Sequence, residues 1–356
     1  MTKTLDQKLA AIHADPNGCK EFILADAKDA DMGFGIAAPG PRIDACPHGY
    51  NKAEGCYKTL TDYLDQIRAV IRQQLVDIVL LSASNLERLA MRERLFDGSP
   101  ITAAARANDA SDVWVVRSSN YTSMPSRPFR SATLDHIKYG QITDDHSRPV
   151  LGADLGLYSV TLTNNIDRDW QTLTEFHDFR IEAEKKKFRY FLEVFNPNVD
   201  PGFDKKKIGA FLNDHIIRAL AGVTEKGRPV FLKIPYNGPG PLEELVAYDP
   251  HLIVGILGGG AGTTMDAFQL IHDARKYGAR VALYGRKINL SEHPLAFIEM
   301  LRRIVEDQIS PAEAVKAYHD ILKKAGIKPQ RPLHSDSQLT EGLKSFGSTT
   351  RSFPEK

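Results

Sequence analysis

Short apolar runs recur along this chain, separated by longer stretches whose apolar residues follow a helical period. The runs are "EFILAD" (21–26), "VDIVLLS" (76–82), "PITAAA" (100–105), "LYSVTLT" (157–163), "YFLEVF" (190–195), "PVFLKI" (229–234), "LIVGIL" (252–257) and "RVALYG" (280–285). Most are apolar on both alternating sets of positions, which marks strands covered on both faces, as in parallel sheets. Between them, "KTLTDYLDQIRAVIRQQL" (58–75) puts Leu60, Leu64, Ile67 and Ile71 on one stripe. Similar patterns fill 167–189, 206–222, 263–278 and 294–307. Eight strands alternating with helices over roughly 270 residues predict a (β/α)8 barrel, with a doubly wound open sheet as the competing arrangement.

Two segments break the alternation. Residues 38–56 insert a Gly/Pro/Cys-containing loop after the first strand, and 117–155 insert an arginine-bearing one after the third. Loops this long inside a compact domain usually serve as lids or partner-binding arms. The expected organisation is one barrel domain over 1–325 and an extended polar tail over 326–356.

Composition narrows the function. Lys and Arg number 46 against 45 Asp and Glu, so no polycation is available for a nucleic-acid backbone. No apolar run approaches a membrane span, and the first residues lack a signal-like apolar core. Three cysteines, Cys19, Cys46 and Cys56, form a sparse, odd set that suits a reducing, cytoplasmic setting. Cys46, His48 and Cys56 lie close in sequence, but their spacing matches no standard zinc pattern. The expectation is an ordinary loop with reduced thiols and no metal.

In a parallel barrel the active site lies at the C-terminal ends of the strands. The polar residues there are Asp26 and Lys28 after the first strand, then Arg106, Asn108 and Asp109 after the third. Glu193 lies within the fifth strand and Lys233 within the sixth, followed by Tyr236. An unperturbed lysine titrates near ~10.4, so at neutral pH almost none is a free amine. Lowering that value by about 3 corresponds to about 4 kcal/mol, which burial can supply. Desolvated lysines form Schiff bases with carbonyl substrates. A structural ion pair with Glu193 is the plainer reading of Lys233.

After the seventh strand, "GILGGGAGTTMDAF" places Gly258, Gly259 and Gly260 before a helix whose expected N-cap is Thr263. Backbone N–H groups there suit a phosphate. A dinucleotide reading fails on the glycine spacing, and no acidic residue ends the next strand; Arg286 leaves a narrow opening for NADP. Gly285 and Arg286 follow the eighth strand, where barrels often complete a phosphate site. A structural glycine turn and an arginine paired to a helix carboxylate remain the bland alternatives.

"LKIPYNG" around Lys233, the Gly-Gly after the seventh strand and the Gly-Arg after the eighth resemble the class I, Schiff-base-forming aldolases. The group includes the deoxyribose-phosphate, tagatose-bisphosphate and archaeal-type fructose-bisphosphate aldolases. "FLEVF" resembles the tagatose-type branch in its fifth-strand glutamate, and "LADAKDADM" is similar to that branch's first-strand string. The fourth strand, "LYSVTLTNN", lacks the lysine usual there, and the two insertions are extra. The resemblance implies a barrel lyase that makes or breaks a C–C bond of a phosphorylated sugar-like compound. Lys233 would form the imine; Glu193, Asp26 or Tyr236 would move protons. Gly259, Gly260, Gly285, Arg286, Lys28, Arg106 and Asn108 would hold the substrate and its phosphate. It implies a homo-oligomer needing no cofactor. A barrel isomerase or transaldolase-like enzyme, and a sugar-phosphate-binding barrel without turnover, are the alternatives.

Overall fold

The computed structural model describes residues 2–42, 56–259 and 262–340. Eight parallel strands close into a barrel in sequential order. They are β1 (Ile23–Lys28), β2 (Ile78–Leu81), β3 (Thr102–Arg106), β4 (Leu155–Thr161), β5 (Arg189–Phe195), β6 (Leu232–Ile234), β7 (Val254–Leu257) and β8 (Val281–Tyr284). β8 pairs back onto β1, matching Asp26 with Tyr284, so the closed (β/α)8 arrangement holds and the open sheet is ruled out. All eight apolar runs become barrel strands.

Two apolar layers explain why those strands are apolar on both parities. Ile23, Ala25, Ala27, Ile78, Leu80, Ala104, Leu157, Phe191, Phe231 and Leu283 point into the barrel. Leu24, Val79, Ala103, Val160, Leu192, Leu232, Ile256 and Tyr284 point outward into the layer shared with the helices. An amphipathic helix at the N-terminus, α1 (Thr4–Ala14), plugs the lower end of the barrel with Leu5, Leu9 and Ile12. Lys3 fastens that plug by donating from Nζ to the carbonyls of Phe96, Ser99 and Ile101 at 2.9, 2.8 and 2.9 Å.

The outer ring consists chiefly of α2 (Leu60–Gln73), α3 (Ile166–Lys185), α4 (Ile208–Leu220), α5 (Pro239–Tyr248), α6 (Thr264–Lys276), α7 (Arg286–Asn289), α8 (Pro294–Val305) and α9 (Pro311–Lys324). A Thr59–Asp62 capping box starts α2, and Leu64, Ile67 and Ile71 of the expected stripe are buried. Leu60 is exposed, because it sits at the first helical position above the core. Thr263 caps α6 as expected, reciprocally with Asp266.

The 117–155 insertion is ordered: its first part meets the loop after β5 at the mouth, and its second part packs outside the barrel against α3. Asp109–Ala110 pairs antiparallel with Pro128–Phe129, and Leu134–Tyr139 forms a short helix. Asn198, just after β5, donates to the carbonyls of Thr122 and Met124, and Arg130 pairs with Glu182 of α3 at 2.6 Å. Residues 43–55 of the other insertion, with Cys46 and His48, lie outside the described residues. Its two ends meet: Pro41 bridges Tyr57, and Arg42 N–H donates to the Cys56 carbonyl. Cys56 is disulfide-bonded and Cys19 is free. The expectation of a reduced thiol at Cys56 is corrected.

The 326–340 segment, expected to be an extended polar tail, packs back on the barrel. Asp336, at the end of a helical turn, accepts from Thr264 N–H at 2.8 Å and lies 2.9 Å from Nε2 of His319. Thr340 donates twice to Asp266. Residues 341–356 lie outside the described residues. No described helix is long and apolar enough to cross a membrane.

Candidate functional site

Strand register fixes what faces the barrel mouth. β5 and β6 match Glu193 with Lys233; β4 and β5 match Ser159 with Glu193. Phe191 and Phe231, two residues before Glu193 and Lys233, fill the interior below them. Alternation therefore turns Glu193 and Lys233 inward, directly above the apolar plug. Lys233 Nζ lies 2.6 Å from Glu193 Oε1, with both side chains buried.

A polar row continues from this pair across the mouth. Ser159 Oγ donates to Glu193 Oε2 at 2.6 Å and accepts from Arg106 Nη1 at 3.1 Å. Arg106 Nη2 lies 3.6 Å from the same Glu193 oxygen, while its Nε donates to Asp29 Oδ2 at 2.5 Å. Two cations and two carboxylates thus alternate as Lys233, Glu193, Arg106 and Asp29. Burial works against the Arg106 charge, yet Asp29 and Glu193 hold its proton more tightly than usual. A buried charge is tolerable when it is paired and hydrogen-bonded, and this row meets that condition.

Several sequence expectations need correction. Asp26 and Lys28 share the outward parity of Leu24, so they lie behind β1 rather than in the mouth. Lys28 Nζ donates there to Gln66 of α2 at 3.2 Å and to Asn289 of α7. Burial pushes the Asp26 carboxyl up to about 6, and Lys28 opposes part of that rise. Burial likewise pulls the Lys28 amine down, with Asp26 opposing. The inward acid at this end of the barrel is Asp29, one residue past β1. Tyr236 lies past the end of β6 and packs in the outer layer. Burial pushes its phenol well up, and the charges it feels include Asp273 and Glu243 of the flanking helices. Asn108 is a staple between strands: its amide accepts from Ser159 N–H at 2.6 Å and donates to the Ser159 carbonyl at 2.8 Å. Arg106 is committed to carboxylates rather than open to a phosphate.

The glycine residues divide by role. A Cβ on Gly258 would stand 2.3 Å from the Tyr284 ring, and one on Gly285 would stand 2.9 Å from the Ala27 carbonyl, so both permit close packing. Gly259 has a φ of +61°, the left-handed region that favours glycine. Gly260 lies outside the described residues. The first-turn N–H groups of Thr263, Thr264 and Asp266 are taken by Asp266, Asp336 and Thr263. Arg286 opens α7, and the next residue, Lys287, donates from Nζ to the Gly262 carbonyl at 2.6 Å. Burial, reinforced by Arg331, pulls the Lys287 amine down to about 8.

Asp29, Ser159 and Lys287 were not selected from sequence. Counting inward positions two by two from Ile23 and from Leu157 reaches Asp29 and Ser159, so alternation carried the signal. Lys287 had none beyond its place beside Arg286. Among the described residues, no cluster of His, Cys, Asp and Glu could hold a metal ion.

No family model matches the sequence, and no curated protein matches it. Solved structures do. An archaeal fructose 1,6-bisphosphate aldolase superposes with a TM-score of 0.56 at 16% identity, covering 84% of this chain and 99% of that one. A Schiff-base-forming fructose-1,6-bisphosphate aldolase gives 0.58 at 16% identity, with the same coverage. A Corynebacterium glutamicum protein gives 0.55 at 15% identity, covering 87% of this chain and 99% of that one. This chain therefore has the (β/α)8 fold found in the Schiff-base-forming fructose-bisphosphate aldolases.

Proposed function

We propose that the chain is a class I aldolase-type lyase that makes or breaks a C–C bond of a phosphorylated, or similarly anionic, sugar-like compound through an imine on Lys233. The observation that carries this reading is the inward Lys233 amine 2.6 Å from the Glu193 carboxylate at the barrel mouth. A nucleophilic amine beside a general acid–base group is what carbinolamine chemistry needs. The fold supports it: one structural neighbour is described as having its catalytic lysine covalently bound to the carbinolamine intermediate of its substrate.

In this reading Glu193 takes a proton from the Lys233 ammonium, and the freed amine attacks the substrate ketone. Glu193 returns the proton to the carbinolamine hydroxyl, which leaves as water, giving the iminium. Glu193, again a carboxylate, accepts the proton of the aldol hydroxyl as the C–C bond breaks. The bonding pair enters the iminium and leaves an enamine, while the aldehyde departs. Protonation of the enamine carbon and hydrolysis by water then restore Lys233. Ser159 and Arg106 orient Glu193, and Asp29 balances Arg106. Gly259, Gly285 and Arg286, with Lys287 nearby, hold the anionic end and orient the carbonyl from a distance.

The tight Lys233–Glu193 pair also favours a second reading, a sugar-phosphate-binding barrel without turnover. Lys233→Arg separates the two, since arginine keeps the charge but forms no imine. The lyase reading expects turnover to vanish while inorganic phosphate still binds. A variant with unaltered conversion of every substrate the wild type accepts would overturn it.

A further inference from the structure

The Asp26–Lys28 pair behind β1 has no place in the chemistry above, yet both residues are 0% exposed. Taking two charges out of water costs several kcal/mol per ion unless their partners are well placed. Three acceptors hold the Lys28 ammonium: Asp26 Oδ2 at 3.2 Å, Gln66 Oε1 at 3.2 Å and Asn289 Oδ1. The third belongs to the last residue of α7. Asn289 N–H donates to the Gly285 carbonyl at 2.9 Å, and Leu290 N–H donates to the Arg286 carbonyl at 2.9 Å. A side chain that fixes Asn289 therefore fixes Gly285 and Arg286 one turn away. The same strand meets α7 at its other end, where Gly285 lies against the Ala27 carbonyl. A four-residue helix cannot hold its shape alone, since helix nucleation is unfavourable and stability comes from tertiary contacts.

We infer that Lys28 is a positioning residue: through Asn289 it sets the short helix that presents Gly285 and Arg286, and so sets affinity for the anionic end of the substrate without touching it. The inference rests on the reading of Arg286 as an anion contact. It explains why a charged pair is retained in the outer layer, where an apolar pair would pack at lower cost. It also gives Lys28 a role that its sequence position beside the mouth suggested, carried out from the other side of the strand.

The test uses the full chain with Lys28→Met, Asn289→Ala and Asn289→Asp, the last keeping an oxygen acceptor for Lys28. Three quantities are read: affinity for inorganic phosphate by calorimetry, borohydride-trapped adduct with unphosphorylated dihydroxyacetone, and amide hydrogen exchange over residues 285–291. Lys28→Met and Asn289→Ala are expected to weaken phosphate about tenfold; Asn289→Ala should speed exchange in that segment alone, and Lys28→Met, which also strands Asp26, should speed it there most. Adduct yield should stay within about twofold of wild type, and Asn289→Asp should recover most of the affinity. Should Lys28→Met fail to fold, Asn289→Ala carries the test. Unchanged phosphate affinity in folded variants, or loss of phosphate and adduct together, overturns the inference. If wild type itself binds no phosphate, the reading of Arg286 fails. Faster exchange confined to 285–291 would then still support the Lys28 anchor, and unchanged exchange would remove it.

Discussion

Replacing Glu193 with glutamine keeps the shape of the side chain and removes its charge. Lys233, 2.6 Å away, then loses its carboxylate, and Arg106 keeps only Asp29. Both members of the pair are more than nine-tenths buried, so solvent screens little of the loss. Breaking such a pair by removing one partner costs about 3–5 kcal/mol, mostly from the stranded charge. Against a typical total stability of about 5–15 kcal/mol, that is a large fraction. Glu193→Gln/Lys233→Met removes both charges, so denaturant unfolding should show it recovering most of the single-variant loss. Turnover should respond differently. Loss of the acid–base group should lower kcat by about 10²–10⁴-fold in Glu193→Gln, with no recovery in the double variant. A Glu193→Gln protein that unfolds more easily yet turns over at the wild-type rate would refute the catalytic part and leave Glu193 a structural partner. A double variant destabilised as much as the sum of the two singles would refute the charge argument.

Asp26 gives a pH signature. Its folded value of about 6 exceeds the ordinary 3.8, so the folded state binds the proton more tightly. The contribution is fully present below about pH 4 and is lost as pH rises through 6. Asp26→Asn, neutral at every pH, should remove that dependence, so the wild-type advantage over the variant shrinks as pH rises from about 4 through 6. A wild-type-minus-variant difference that is flat or grows across this window would contradict the assignment. Gly258→Ala drives a methyl into the Tyr284 ring and should cost about 1–3 kcal/mol in chemical denaturation; a neutral result would mean that the ring moves aside freely. Tyr236→Phe should leave substrate turnover within about twofold of wild type, because the phenol faces the outer helices; a hundredfold loss would return it to the site.

The eight parallel strands were legible because each carries apolar residues toward two different layers, whereas closure, which that pattern shares with a doubly wound sheet, comes from the pairing of β8 with β1. Lys233 and Glu193 were legible for a related reason: each interrupts a fully apolar run, and burying a charge there requires a partner. The facing of β1 was harder. Asp26, Lys28 and Asp29 follow one another at a strand end, and a one-residue shift in parity exchanges the mouth for the outer layer. The inner layer that holds Ile23, Ala25 and Ala27 resolved it in favour of Asp29, which meets Arg106 in the mouth. Tyr236 failed for want of a boundary, since β6 ends at Ile234 and alternation no longer applies two residues later. Asn108 looked like a substrate contact because polarity near a mouth does not reveal whether an amide is already committed to backbone. The α1 plug went unread because only the closed barrel shows that its lower end needs covering.

The central claim is the covalent role of Lys233. Borohydride reduction in the presence of dihydroxyacetone phosphate, followed by intact-mass measurement and peptide mapping, addresses it most directly. One adduct per chain, mapped to Lys233 and absent from Lys233→Arg, is the expected result. No adduct with that ketone or with a wider panel of ketones and aldehydes, or an adduct on another lysine, would contradict the account and leave Lys233 as the ion-pair partner of Glu193.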